Sequence, residues 1–232
     1  MSGFGRYAVF YAPPKGSALA RFGAAWLGRD AETGAGAAQP EIEGLDLEAA
    51  SATPRRYGFL CTLKAPFRLA EGTDAAGLEA ALAVLAAGIA PFACAPLAVE
   101  PLGGFVAFRP GASCAALAAL AAACVTGLDR FRAPAPESEI ARRRAAGLTP
   151  AQEAHLARWG YPYVLDEFRF HLTLTGALSD AARGRAVEVA ARLAGPAIEG
   201  AFAVGEICLF GEDETRHFHI LNRFPLTGPA GR

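Results

Sequence analysis

FRFHLTLTGAL, at residues 168–178, is the stretch on which the fold turns. Successive side chains of an extended strand point to opposite faces. Read as a strand over 167–175, it puts Arg169, His171, Thr173 and Thr175 on one face. Phe168, Phe170, Leu172 and Leu174 fall on the other. The polar face either meets water or holds an anion. A cation, a group that titrates near neutrality and two hydroxyls together suit a phosphate.

A second segment, YGFLCTLKAPF at 57–67, repeats that layout. Setting Leu60 against His171 brings Thr62 onto Thr173 and Leu63 onto Leu174, an offset of 111 residues in a chain of 232. Each segment runs into a turn, an alanine-rich helical stretch and then a strand, the outline of a duplicated unit. One face of the first copy reads Arg56, Gly58, Leu60, Thr62, Lys64, and the reverse reads Tyr57, Phe59, Cys61, Leu63. Leu60 therefore interrupts a polar face where the second copy has a histidine. Cys61 cannot replace it, because strand alternation turns it away.

Working outward, RYAVFYAP at 6–13 is a strand ended by prolines, and 17–28 is a helix with Ser17 as N-cap. The Gly-, Ala- and Pro-rich stretch 30–54 is a loop with at most one short helical turn. A helix over 75–89 starts from Thr73 or Asp74. Strands at 97–102 and 104–109 turn at Gly103-Gly104, and a helix comes next over 112–128. Residues 131–160 form a charged helical connection of two short helices, the second opened by Thr149, Pro150 and Glu153. A helix at 179–195 and strands at 200–210 and 216–225 close the chain. Without regular βαβ alternation, the expected class is α+β, with antiparallel sheets and helices outside them, in a single domain over 1–232 made of two similar lobes.

Composition narrows the function. Apolar residues make up 53% of the chain, enough for a sizeable core. A net charge of −1 with no long basic run argues against binding long nucleic acid. Five scattered cysteines form no framework and no zinc pattern, and fit a reducing compartment. The apolar stretches are too short or too broken by proline for a membrane span, and the start has no signal-peptide pattern, so the expected location is the cytoplasm.

The segment His171-Leu172-Thr173-Leu174 resembles one of the two HxT motifs of the two-histidine (2H) phosphoesterases. RRYGFLCTLKAPF and WGYPYVLDEFRFHLTLTG are similar to a branch of that superfamily found beside phosphonate-utilisation genes, and the likeness runs from RYAVFYAPP to LNRFPL. The resemblance implies a pseudo-symmetric fold whose two lobes close on a central cleft, each giving one HxT strand. It implies a cyclic phosphodiesterase that needs no metal and no cofactor, with a small phosphorylated or cyclic-phosphate ligand. In that family two imidazoles act as general acid and general base while the threonines hold non-bridging oxygens. Carried over, His171, Thr173 and Thr62 are the catalytic set, and Leu60 occupies the place of the first histidine. The strand faces add Lys64, Arg169 and Arg56 as phosphate-binding cations.

Other candidates carry bland alternatives. His217 and His219 share a strand face and could ligate a metal, although a third ligand is not evident nearby; a surface or cleft-edge pair is the plainer reading. His155 is expected on an exposed helix face. Tyr161 and Tyr163 either stack on a ligand or pack their own loop. Arg142, Arg143 and Arg144 are expected as a solvated helix face, the alternative being a cover over the anion.

Overall fold

In the computed structural model, which describes residues 4–229, the strand Arg6–Tyr11 (β1) is buried at five of its six positions. That burial comes from its place inside a four-stranded antiparallel sheet. β1 lies between Cys61–Phe67 (β2) and Glu206–Glu212 (β8), and Phe218–Pro225 (β9) closes the far side. A second antiparallel sheet joins Leu97–Leu102 (β4), Phe105–Pro110 (β5) and the two-residue Leu172–Thr173 (β6). Phe92–Cys94 (β3) and Phe202–Val204 (β7) pair separately. The fold is α+β.

The helices are Ala18–Leu27 (α1), Leu47–Arg55 (α2), Ala75–Ala87 (α3), Ala115–Gly127 (α4), Glu137–Arg144 (α5), Pro150–Trp159 (α6) and Asp180–Ile198 (α7). α4 packs on β2, and α7 packs on β4 and α1. Five of the seven starts are set by side-chain capping: Ser17, Asp46, Asp74, Thr149 and Ser179 each accept a hydrogen bond from a backbone N–H in the first turn. At Thr149 the reciprocal partner is Gln152, the third helical residue, and not Glu153, which pairs with Arg144 instead.

Four element expectations need correction. The stretch 30–54 is not all loop, because α2 starts at Leu47, where Asp46 caps it and Leu47, Ala50 and Ser51 are buried. The strand expected over 200–210 is two strands, β7 and β8, broken at Gly205. The strand expected over 167–175 keeps its two-faced burial but pairs only at Leu172 and Thr173. Beyond them the Thr175 hydroxyl accepts the Val106 N–H at 3.0 Å, taking the place of a ladder carbonyl. Finally, the cysteines do pair once. β3 and the start of α4 bring Cys94 and Cys114 to a Cα separation of 5.8 Å, where they form a disulfide, while Cys61, Cys124 and Cys208 are free and buried. A 20-residue separation conceals that proximity in the sequence.

No helix among the described residues is long and apolar enough to cross a membrane.

Candidate functional site

β2 and β6 are both edge strands of their sheets. Their outer rims line one cavity of about 580 Å³, a size suited to a small ligand. Leu60 and Thr62 enter it from the β2 side, and His171 and Thr173 from the β6 side. Cys61, between Leu60 and Thr62, has its thiol buried on the opposite side from the cavity. Desolvation pushes that thiol up to about 12, so Cys61 is an inert packing group.

The strand alternation carries through on the β6 side. Phe170, Leu172 and Leu174 are buried in the main core, and His171 and Thr173 are half-buried at the cavity. His171 Nδ1 donates to the Arg169 carbonyl at 2.7 Å. A carbonyl can only accept, so this bond puts the ring proton on Nδ1 and leaves the Nε2 lone pair free. Burial lowers the pKa of His171, with the nearby Arg109 charge acting the same way and the Arg169 carbonyl opposing it. The imidazole is therefore neutral at pH 7, the form a general base requires. Thr175 is fully buried, its hydroxyl held by Val106 and Gly176, whereas the hydroxyls of Thr62 and Thr173 make no hydrogen bond among the described residues.

The β2 side differs. Leu60 is 7% exposed and packs in a small apolar cluster with Ala8, Phe10, Phe210 and Phe218. The chain reaches it through Gly58, whose φ of +97° is left-handed and whose added Cβ would stand 2.8 Å from Ala31.

Of the expected cations, only Arg56 lines the cavity. Lys64 does not. Val9 faces Lys64 and Phe10 faces Thr62, so β2 carries one extra residue between them. Such a bulge shifts the alternation by one and re-aims the side chains beyond it. Lys64 is turned inward, where Nζ donates to the Val125 carbonyl at 3.0 Å and lies 3.4 Å from Asp129. Burial pushes its pKa down to about 8 against the Asp129 charge. Arg169 is also misplaced as a ligand cation: its side chain is exposed and outside the cavity, and its role is the carbonyl that orients His171.

A basic wall is the feature that sequence reasoning missed. Arg6, Arg142, Arg143 and Arg216 line the cavity together with Arg56. Arg6 is anchored on Glu212 by two side-chain hydrogen bonds. Arg143 pairs with Glu139 at 3.0 Å and lies over the Tyr161 ring at 4.7 Å. The Arg142–Arg144 run is thus not one solvated face, since the first two line the cavity and only Arg144 points elsewhere, to Glu153. Tyr161 lines the cavity and Tyr163 does not. The arginine run was the one signal available in the sequence; Arg6 and Arg216 stand alone there, 210 residues apart.

His217 and His219 do not line the cavity. His219 Nε2 lies 2.7 Å from Asp213, His217 Nδ1 lies 2.9 Å from the Thr215 hydroxyl, and no group of three metal-ligating side chains occurs among the described residues. His155 is not exposed: its side chain is 15% accessible and meets Asp166 at 2.6 Å.

Among known proteins, the family described as "Protein of unknown function (DUF1045)" matches residues 62–219. A ribose 1,5-bisphosphate phosphokinase PhnN of Janthinobacterium sp. (strain Marseille) is 41% identical over 179 residues, 76% of this chain and 40% of the relative. Its counterpart of Laribacter hongkongensis (strain HLHK9) is 44% identical over 179 residues, 75% of this chain and 41% of the relative. The chain thus spans about two fifths of the length of these curated relatives. Among solved structures, E. coli LigT complexed with 3'-AMP aligns over 97% of this chain and 99% of that one, at 16% identity and a TM-score of 0.48.

Proposed function

The chain belongs to the DUF1045 family, and we propose that it acts as a 2H-type phosphoesterase on a small cyclic phosphate or nucleotide, in phosphonate metabolism, with Leu60 in place of the first histidine. One observation carries the reading: two free threonine hydroxyls and one neutral imidazole with an open Nε2 converge on a single arginine-walled cavity. Thr62 and Thr173 donate to the non-bridging oxygens of the phosphodiester. His171 Nε2 takes a proton from the attacking water as the new P–O bond forms. The ring P–O bond then breaks, and the leaving oxygen draws its proton from solvent, since Leu60 has none to give. The product is a phosphomonoester.

The names of the curated relatives point to phosphorylated pentoses, which supports a ribose unit in the ligand. Neither Lys15 nor Lys64 is followed by Ser or Thr, so this chain lacks a G-x-x-x-x-G-K-[ST] phosphate loop, and we assign it no kinase step of that type.

A second reading, a phosphate- or nucleotide-binding protein without turnover, is favoured by the apolar packing of Leu60. Turnover of adenosine 2′,3′-cyclic phosphate, monitored by phosphorus NMR beside calorimetric binding on the same sample, separates the two. The enzyme reading predicts slow hydrolysis that disappears in His171→Ala. Binding with no hydrolysis selects the binding protein, and hydrolysis that survives His171→Ala contradicts the assigned base.

A further inference from the structure

We propose that the cavity holds a second anion subsite, formed by Arg6, Arg142 and Arg216, so that its ligand carries a phosphomonoester besides the cyclic phosphate. The inference rests on the cyclic-phosphate reading above and adds to it a substrate class, a doubly phosphorylated small molecule.

Charge is the first argument. Five arginines line the cavity and no carboxylate does. Glu212 and Glu139, which anchor Arg6 and Arg143, are absent from the cavity lining and stand at the adjoining hollow. Arg142 and Arg56 form no ion pair among the described residues, and Arg216 is only loosely placed at 3.9 Å from Glu212. A cyclic phosphodiester carries a single negative charge, which the two threonine hydroxyls and one guanidinium suffice to meet. Guanidinium forks in this number match a phosphomonoester dianion.

Position is the second. Arg6, Arg142 and Arg216 lie where the cavity meets an adjoining hollow of about 310 Å³, which they line along with Arg68, Ser138 and the carboxylates of Glu139 and Glu212, four guanidiniums against two acids. Thr62, His171 and Thr173 do not reach that hollow. The arginine end is thus spatially separate from the histidine end.

The third is backbone strain. Arg216 has φ 66°, a left-handed conformation that a non-glycine residue adopts at a cost. The hairpin tip enforces it: Asp213 accepts from the Arg216 and His217 N–H groups through its carbonyl and its side chain. From this turn Arg216 lines both the cavity and the adjoining hollow.

Calorimetry at low ionic strength tests this, with adenosine 2′,3′-cyclic phosphate and its 5′-phosphorylated counterpart as probes. The 5′-phosphate should tighten binding by about tenfold or more. In Arg142→Ala and in Arg216→Ala the ratio of the two dissociation constants should fall toward one, and in His171→Ala it should persist. Equal affinities for both probes in the wild-type protein overturn the subsite alone. A ratio unchanged by either arginine substitution overturns its location. If neither probe binds, the reading of the cavity falls and this inference with it.

Discussion

The two rims of the cavity share a layout and differ in chemistry. β2 and β6 are both sheet edges, and each presents a threonine with a free hydroxyl. Two residues before that threonine, the β6 rim carries His171, oriented by the Arg169 carbonyl, and the β2 rim carries Leu60, packed with Phe10 and Phe218. Anchoring a phosphate and moving its proton are therefore separable tasks in this architecture. The first is kept on both sides, and the second is concentrated on one. An edge strand suits such a site, because its outer rim is free of ladder partners and open to a ligand.

The largest effect should come from removing the side that still has an imidazole. His171→Ala should cut turnover of a 2′,3′-cyclic nucleotide by about 10² to 10⁴, the usual contribution of one positioned proton-transfer group. An unchanged rate in a folded variant would break the contrast between the rims.

Next comes the reverse experiment. Leu60→His should raise that rate by about 10², and His171→Ala in the same background should erase the gain, since an acid and a base act as a pair. The new imidazole enters the Phe10–Phe218 cluster, so a loss of about 1–3 kcal/mol in unfolding free energy should accompany the gain. A rate increase that survives loss of His171 would mean that the two positions do not cooperate.

A smaller effect contrasts Lys64 with Thr62, neighbours on β2 that the bulge sends to different faces. Asp129→Ala should cost about 2 kcal/mol, because it strands a buried ammonium on the Val125 carbonyl. Turnover should not change, since neither Asp129 nor Lys64 lines the cavity. The Lys64 pKa, about 8 in the folded protein, lies below its unfolded value, so its share of stability should rise with pH above about 8. Urea unfolding at pH 7 and pH 10, wild type beside Lys64→Met, reads that share; equal differences at the two pH values would place the ammonium in solvent.

The smallest effect is in the pH–rate profile. Burial lowers the pKa of His171, so kcat/KM should stay flat as pH falls through about 6.5 and decline only below it. A decline centred above 6.5 would assign the proton transfer to another group.

Much of this was legible in the sequence. The alternation of FRFHLTLT alone places His171 and Thr173 together and Leu172 and Leu174 in the core, and the 111-residue offset pairs Leu60 and Thr62 with them. Alternation failed at Lys64, where a single inserted residue inverts the face and no glycine marks the bulge. It also missed α2, whose burial depends on α1 and on a neighbour far along the chain, since the Gly176 N–H donates to the Ala50 carbonyl. The basic wall stayed hidden for the same reason. Arg6 comes from β1, Arg142 from α5 and Arg216 from the β8–β9 hairpin, and only tertiary structure gathers them.

A crystal structure of the protein soaked with adenosine 2′,3′-cyclic phosphate tests the central claim most directly. The account predicts phosphoryl oxygens within about 3.2 Å of both the Thr62 and Thr173 hydroxyls, with His171 Nε2 facing the phosphorus from the same side of the cavity. A phosphoryl group seated away from these three residues would contradict it.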